Sequence, residues 1–339
     1  MKPRVLLLQE DQSSGGVSTI SNTLCAALGQ QHWPLCELAL NRCGWRERLR
    51  AAGRCDVILA SHNFKPAYVA WALGLLLRKP VVVWVHGPLF EVLEQAQASV
   101  FKRAWLHWLY RRVQQFVFVS RASRDSFDRF MQQPMGPHQR GAVIPNVVAP
   151  MTLSGNSLWA SDAVAAKPKL AYIGRLSAEK RPQLLLQMLR LLPAHFQLTL
   201  VGDGPMRDAL RESGADLISS GRLTLLGAQA HGAGLYTPWH LTLLASRYEG
   251  CPMTLLESFS LGVPCVGVPI AALREVVGED APYLLARDAS AQALADAVQA
   301  LWAMPRARVQ ADLTRVLSRH QLPDFVQAWQ SVLQQAAQR

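Results

Sequence analysis

The sequence predicts an α/β protein with two domains, each built on a doubly wound parallel sheet. Its 339 residues exceed the usual size of one domain, and half of them are apolar, which suffices for two cores. Short apolar runs alternate with segments of helical period in the first half of the chain, and again in the second. Because continuous apolar runs are typical of strands buried on both faces, this alternation favours parallel sheets covered by helices.

The expected elements follow from these runs. Strands are predicted at 5–8, 56–61, 81–87, 116–120 and 142–146, then at 169–175, 196–201, 223–227, 241–245 and 265–268. Helices are predicted at 18–28, 65–78, 91–113, 122–132, 183–192, 290–303 and 323–338. A stretch of small and turn-forming residues at 151–168 predicts a linker between domains at 1–150 and 169–320. The last segment, 321–339, is a helix that could pack back on the first domain.

Charge is concentrated in the first half. The net charge is +11, and residues 1–150 hold 18 Lys and Arg against 9 Asp and Glu, whereas the remainder holds 17 against 15. The first half is therefore expected to meet something anionic. Over 100–113, aromatic side chains such as Trp105 and Trp108 lie among basic ones such as Arg111 and Arg112, which favours an anionic membrane surface over nucleic acid. An ordinary core-facing helix with a basic outer face fits this segment equally well.

The expected location is cytoplasmic, with peripheral attachment to the inner face of the inner membrane as an extension of that hypothesis. No uncharged apolar run of about 18 residues occurs, and neither a signal peptide nor a membrane span is indicated. The six cysteines form no Cys-x-x-Cys pair, so reduced thiols are expected.

The stretch 246–264 carries two carboxylates, Glu249 in a Gly/Pro turn and Glu257 about one turn into a helix that begins near Pro252 or Thr254. The first turn of a helix favours an anion just outside it. Carboxylates on either side could hold hydroxyls, and a nucleotide sugar has that combination of groups. An isolated glutamate pair would more often be a solvated one.

Two cations follow the first strand of the second half. Arg175 and Lys180 come after Gly174, five residues apart across a turn. Such a pair can neutralise a diphosphate without a metal ion, the arginine through forked hydrogen bonds and the lysine as a point charge. Their presence makes a binding site more plausible than two solvated glutamates.

In the first half, Gly15 and Gly16 stand between a strand and a helix, where a backbone can approach a ligand closely. They lack the dinucleotide and P-loop spacings and are a weak signal alone. Polar residues also recur where strands end, at 61–63, 86, 120–121 and 146. Ligands of open parallel sheets bind at that edge, and His86, before Gly87, is the strongest candidate.

Together these motifs resemble the GT-B glycosyltransferases, specifically the retaining family 4, over nearly the whole chain. The resemblance rests on Gly15-Gly16-Val17, His86-Gly87, 143–146, Gly174-Arg175 with Glu179-Lys180, 201–205, 249–257 and 262–264. It implies two Rossmann-like domains facing across a cleft, the first for the acceptor and the second for a nucleotide sugar.

The resemblance also implies roles for particular residues. Arg175 and Lys180 would bind the donor diphosphate beside Gly174, Glu257 the ribose hydroxyls and Glu249 the transferred sugar. The amides that follow Glu249 would hold the distal phosphate, in the segment that includes Pro252, Met253 and Thr254. His86 resembles the family histidine near the sugar, and Gly16, after Gly15, the loop glycine beside the phosphates.

The leading hypothesis is a retaining transferase that moves one sugar from a UDP- or GDP-sugar to a glycan or lipid-linked acceptor in bacterial surface polysaccharide synthesis. The resemblance implies that a donor phosphate oxygen takes the acceptor proton, so no side-chain nucleophile, cofactor or metal is expected, and no Asp-x-Asp motif occurs. The alternatives are a sugar-nucleotide epimerase or hydrolase of similar fold and a non-catalytic partner of a glycosyltransferase.

Overall fold

A computed structural model describes residues 2–10, 15–133, 135–149, 158–159 and 167–338. The chain divides into two compact units: the first combines Met1–Val147 with His320–Arg339, and the second is Val148–Arg319. Most of the stretch predicted as a linker, 151–168, lies outside the described residues.

The first unit has a six-stranded parallel sheet in the order β2-β1-β3-β4-β5-β6. The strands are β1 (Val5–Gln9), β2 (Leu35–Ala39), β3 (Val57–Ala60), β4 (Val81–Val85), β5 (Gln115–Phe118) and β6 (Arg140–Val143). Its helices are α1 (Gly16–Gln30), α2 (Trp45–Gly53), α3 (Lys65–Leu77), α4 (Leu89–Gln95), α5 (Val100–Tyr110), α6 (Arg121–Met131) and, at the end of the chain, α14 (Leu322–Ala337).

The second unit has a five-stranded parallel sheet in the order β11-β10-β7-β8-β9. The strands are β7 (Lys169–Ile173), β8 (Gln197–Val201), β9 (Leu223–Gly227), β10 (Leu241–Leu244) and β11 (Cys265–Gly267). The helices are α7 (Pro182–Leu191), α8 (Arg207–Ser213), α9 (Ala215–Ser219), α10 (Met253–Ser260), α11 (Ala271–Val277), α12 (Ala291–Trp302) and α13 (Arg306–Leu317).

The central strands are buried because helices cover both faces of each sheet. All the residues of β1, β3 and β10 are buried, in agreement with their continuous apolar sequences. The predicted α/β class with two parallel sheets is therefore confirmed.

Helix α14 packs on the sheet of the first unit. The Trp329 ring lies 4.5 Å, centre to centre, from the ring of Trp84 on β4, and the Phe325 ring lies 6.3 Å from the same ring. Both Trp84 and Trp329 are completely buried. The last helix of the chain thus closes the core of the unit in which the chain begins.

The prediction of one helix over 91–113 is wrong. Helix α4 ends at Gln95 and Gln97 has a left-handed backbone with φ 45°, which cannot continue a helix. The α5 helix then starts anew, with Ser99 as its N-cap, whose hydroxyl accepts a hydrogen bond from the Lys102 amide at 3.3 Å. The strand β2 and helix α2 were not predicted, because β2 is a partly exposed edge strand and α2 is rich in arginine.

The tryptophan in the predicted linker is anchored in the second unit. Trp159 is completely buried, and the guanidinium of Arg306 lies 3.5 Å from its ring centre. The neighbouring Leu158 amide donates to the Thr237 carbonyl at 3.3 Å. Across the described ranges, no helix is both long and apolar enough to cross a bilayer.

Candidate functional site

The carboxyl edge of the second sheet gathers three loops. Strand β7 lies at the centre of the sheet, between β10 and β8, so the segments that follow these three strands lie side by side. The strand order changes direction at β7, because β8 and β9 continue to one side of it and β10 and β11 to the other. In open α/β sheets ligands bind at such a switch point.

Lys180 and Glu249 meet at this edge. The Lys180 ammonium lies 2.5 Å from Glu249 Oε1, and the Ser246 hydroxyl donates to the same oxygen at 2.6 Å. The side chains of Lys180 and Glu249 are 27% and 13% exposed. The Glu249 carboxylate therefore holds the Lys180 ammonium in place where the loops after β7 and β10 meet, although the two residues are 69 positions apart in the sequence.

Arg181 joins the loop after β7 to the loop after β10. Its Nε donates to the Ala245 carbonyl at 2.6 Å, and the Arg247 amide returns a hydrogen bond to the Glu179 carbonyl at 2.8 Å. Burial lowers the pKa of Arg181 below its usual value. No local sequence pattern distinguishes this arginine, as the one that joins the loops, from its neighbour Lys180.

Arg175 is exposed at the same edge, and its carbonyl accepts two hydrogen bonds, one of them from the Ser177 amide at 3.1 Å. The hydroxyl of Tyr172 donates to the Arg175 carbonyl at 2.7 Å. Burial and then the charge of Glu249 raise the pKa of Tyr172, so the phenol remains a donor at neutral pH.

The loop after β8 explains two glycines. A Cβ on Gly202, whose φ is +136°, would lie 1.9 Å from the Gly174 carbonyl oxygen, and one on Gly204 would lie 2.4 Å from the Leu176 carbonyl oxygen. Glycine is required at both positions because backbones touch there. The segment 201–205 thus supports the Gly174–Arg175 loop through contact between main chains.

Helix α10 points its N-terminus toward this region. Pro252 is its N-cap residue, and Met253 and Thr254 form its first turn, in agreement with the predicted start. Amides of a first turn have no intrahelical acceptor, and with the helix dipole they favour an anion. The Thr254 hydroxyl donates to the Ile173 carbonyl at 3.5 Å, which places this turn against the end of β7.

Glu257 is buried and held by two side chains that the sequence analysis missed. The Tyr236 hydroxyl donates to Glu257 Oε2, and His231 Nε2 lies 3.0 Å from Oε1. Burial, followed by the nearby Glu257 carboxylate, raises the pKa of Tyr236. Glu257, the residue predicted to bind the ribose, is thus not solvated, and both of its carboxylate oxygens already have protein partners.

In the first unit, Gly15 and Gly16 mark the start of α1, directly after the segment 11–14, which lies outside the described residues. A Cβ on Gly15 would meet no described atom within 4 Å. Packing within the described structure therefore does not require a glycine at this position.

His86 follows β4 and faces aromatic neighbours. Its ring centre lies 4.4 Å from that of Trp84 and 6.3 Å from that of His62, which follows β3. Burial is the main reason that the pKa of His86 is well below its usual value and that of His62 is lowered to about 4. His86 Nε2 is shielded from solvent and has no hydrogen-bond partner within the described residues.

The structure therefore sorts the predicted residues into two groups. Those in the second unit lie along one sheet edge: Gly174, Arg175, Lys180, Glu249, Pro252, Met253, Thr254 and Glu257. Those in the first unit, Gly15, Gly16 and His86, follow strands of the other sheet. Their assigned roles remain predictions.

Comparison with known protein families identifies the family to which this chain belongs. A model described as glycosyl transferases group 1 matches residues 167–304, and a model described as glycosyltransferase family 4 matches residues 15–150. The chain belongs to this family of glycosyltransferases.

Curated relatives match shorter segments. The lipopolysaccharide 1,6-galactosyltransferase of Escherichia coli (strain K12) is 31% identical over 129 residues, which are 33% of this chain and 34% of that protein. The N-acetyl-alpha-D-glucosaminyl L-malate synthase of Bacillus anthracis is 36% identical over 89 residues, or 26% of this chain and 23% of that protein. The matches thus span about a third or less of these relatives' lengths.

Solved structures agree over the whole fold. HepE of Anabaena, crystallised in complex with UDP and glucose, superimposes with a TM-score of 0.79 at 18% identity and covers 98% of this chain and 100% of its own. Sucrose-phosphate synthase of Thermosynechococcus elongatus gives a TM-score of 0.74 at 17% identity, with 99% and 97% covered. The fold is GT-B, as the resemblance in the sequence implied.

Proposed function

We propose that the protein is a retaining glycosyltransferase that moves one sugar from a UDP- or GDP-sugar to a glycan or lipid-linked acceptor in bacterial surface polysaccharide synthesis. The observation that carries the proposal is the Lys180–Glu249 pair with Ser246, on the loops that lead into α10. In a chain of this family, such a combination of cation, carboxylate and helix N-terminus is suited to a sugar joined to a diphosphate.

In this proposal the donor diphosphate takes the positive charges of the edge. Arg175 binds it through its guanidinium, Lys180 through its ammonium, and the first turn of α10, at Met253 and Thr254, through backbone amides. Negative charge grows on the diphosphate as the bond to the sugar breaks. Donors that are already in place stabilise that charge without reorganisation, and this is the main contribution to the rate.

The carboxylates then bind hydroxyls. Glu249 accepts from the transferred sugar, and Glu257 from the ribose. A carboxylate has about four acceptor positions on its two oxygens, so Glu257 can bind a ribose while Tyr236 and His231 keep it oriented. Glu257 is therefore fixed in place before the nucleotide arrives.

We assign the contacts with the transferred sugar and the acceptor to residues of the first unit. His86 is neutral at physiological pH because its pKa is depressed, and by resemblance to the family we assign it to a sugar hydroxyl and Gly15 and Gly16 to the phosphates. A donor phosphate oxygen takes the acceptor proton. Because two cations neutralise the diphosphate, turnover requires no metal ion.

Relatives support the donor class and the pathway. The HepE structures contain UDP, with glucose or UDP-glucose, which favours a UDP-sugar donor here. The lipopolysaccharide galactosyltransferase of E. coli favours a surface glycan as the product.

The first experiment is a thermal-shift panel of UDP, GDP and their sugars. A ligand at 100 times its Kd stabilises the folded state by about 2.7 kcal/mol, which raises the melting temperature measurably. We expect one nucleotide diphosphate to do so and CMP not to. Failure of every nucleotide would contradict the proposal.

The second experiment separates transfer from the alternatives. The protein is incubated with the stabilising nucleotide sugar, with and without acceptor glycan, in EDTA, and the product is analysed by NMR. We expect a new linkage with the donor's anomeric configuration, formed only when acceptor is present. A new sugar isomer without acceptor would establish an epimerase, and inverted product or loss of activity in EDTA would refute retention or metal independence.

A further inference from the structure

The first unit presents an unusually apolar surface on two helices. Six of the ten exposed large apolar side chains of the described residues lie on α3 and α5: Leu75, Leu76, Val100, Phe101, Trp105 and Trp108. Phe101 is 88% exposed and Leu75 is 67% exposed. Scattered apolar residues are normal on a surface, whereas a cluster such as this marks an interaction site.

Helix α5 has apolar residues on its buried side and also on its solvent side. Leu106, Leu109 and Tyr110 are buried in the unit, as expected for a helix on a sheet. Phe101, Trp105 and Trp108 recur at spacings of four and three on the solvent side, and so they share one face. A core-facing helix with an ordinary outer face, the alternative left open by the sequence, would not place aromatic rings there.

Helix α3 continues this face. The Trp71 ring lies 6.4 Å from that of Trp105 and 5.1 Å from that of Trp108, centre to centre, so the two helices are joined by their aromatic side chains. Both helices cross between neighbouring parallel strands and therefore run in the same direction. Their C-terminal ends, and the exposed Leu75 and Leu76, lie on the same side.

Basic residues border the apolar face. Helix α3 is followed by Arg78-Lys79 and α5 by Arg111-Arg112, and neither helix contains an acidic residue. The Arg112 guanidinium stacks 3.9 Å from the centre of the Trp108 ring, so charge and aromatic surface are adjacent. We call this combination of side chains the aromatic–basic surface.

We propose that the aromatic–basic surface binds an anionic lipid bilayer, with Phe101, Trp105 and Trp108 in the headgroup region and Arg111 and Arg112 against the lipid phosphates. Aromatic side chains favour that interface, and each nearby cation strengthens binding to anionic lipid. A second copy fits less well, because a two-fold contact would bring the arginines of both copies together. This proposal does not depend on the transfer reaction.

The test is flotation of the full-length protein with vesicles. Phosphatidylcholine vesicles with 30% phosphatidylglycerol are compared with vesicles of phosphatidylcholine alone, at low and high salt. We expect binding to the anionic vesicles that weakens with salt. Arg111→Glu with Arg112→Glu should lower the partition coefficient by about thirtyfold or more, from about fivefold for each cation removed. Phe101→Ser with Leu75→Ser should lower it by tenfold or more.

Matched controls lie on the second unit. Arg211→Glu with Arg287→Glu changes the net charge equally, and Leu191→Ser with Leu226→Ser removes apolar side chains that are about half exposed. All variants should keep the wild-type melting temperature within about 2 °C, which excludes unfolding as the cause. The proposal is overturned if the wild type does not float, if the controls lose binding as much, or if sedimentation shows a dimer that the Phe101→Ser variant dissolves while lipid binding is unchanged.

Discussion

The carboxyl edges of the two sheets differ in whether their side chains are charged or neutral. The edge of the second unit holds the Lys180–Glu249 ion pair and a buried Glu257 with two hydrogen-bonding partners. The edge of the first unit holds His62 and His86, both kept neutral by burial among aromatic rings. Both units are parallel sheets with helices on both faces, so the difference comes from the residues that follow the strands.

This contrast suggests a division of labour. In the proposed function a diphosphate needs a cation held in place, and the Lys180–Glu249 ion pair holds one at the second unit. A sugar or acceptor hydroxyl needs neutral donors and acceptors beside an apolar surface, as the first unit provides. The following predictions test the contrast, from the largest expected effect to the smallest.

Lys180→Met should reduce kcat by about 10²- to 10³-fold, because in the proposed function it removes one preorganised cation from the leaving diphosphate. The measurement is single-turnover transfer at saturating donor. Arg190→Met, which removes an exposed arginine paired with Asp216 on the same unit, serves as the control and should leave kcat unchanged. Wild-type turnover in Lys180→Met would show that charge at this edge does not act in catalysis.

Gly202→Ala should destabilise the protein by about 2 to 3 kcal/mol and weaken nucleotide binding, because the new Cβ would overlap the Gly174 carbonyl 1.9 Å away at a φ of +136°. Denaturant unfolding and UDP titration measure the two effects. Gly234→Ala meets no described atom within 4 Å and should change neither by much. Equal behaviour of the two variants would mean that the loops after β7 and β8 are not held by main-chain contact.

Because His62 and His86 are neutral in the folded protein, we expect the protein to lose stability in acid. His62 has a folded pKa of about 4 against 6.5 ordinarily, so the unfolded chain binds more protons between these values and unfolding is favoured as pH falls from 6.5 toward 4. At pH 5 the loss from this group is about 2 kcal/mol. His62→Asn should remove that part of the difference between pH 7 and pH 5 in denaturant unfolding, whereas the exposed His195→Asn should not. An unchanged pH dependence of stability in His62→Asn would refute the inference that burial keeps His62 neutral in the folded protein.

Tyr236→Phe should cost about 1 to 2 kcal/mol of stability, since it takes a donor from the buried Glu257 carboxylate. If Tyr236 also orients Glu257 for the ribose, the Kd for UDP should rise severalfold. Tyr283→Phe is the control, since its hydroxyl donates at 2.8 Å to the buried Asp312, which lies on α13 rather than on the loops of the site. A similar loss of stability with unchanged UDP affinity is expected for it, and the same result for Tyr236→Phe would leave Tyr236 with a structural role alone.

Much of the second unit's edge could be predicted from the sequence. The sequence predicts the turn that carries Arg175 and Lys180 after β7, and it predicts the start of α10. Both predictions succeed because glycine, proline and apolar runs determine turns and strands locally. Arg181, Tyr236 and His231 were missed. Their partners lie 21 to 65 residues away, and no local pattern connects them.

The first unit shows where local patterns fail. The segment 91–113 reads as one helix from its apolar spacing, yet Gln97 and the cap at Ser99 divide it. Strand β2 and helix α2 carry too little apolar periodicity to be recognised. Strand β2 is stabilised by its pairing with β1 rather than by its own sequence.

The sequence by itself determined the fold class, the two parallel sheets and the residue types at the ends of their strands, since alternation of apolar runs and turn residues is a local property. Tertiary structure alone decided which of those side chains are paired. It joined Lys180 to Glu249 across 69 residues, buried Glu257 under Tyr236, and left aromatic rings of α5 on the surface. The physical reason is that charge pairing and burial depend on which strands are neighbours, and strand order is a property of the folded sheet.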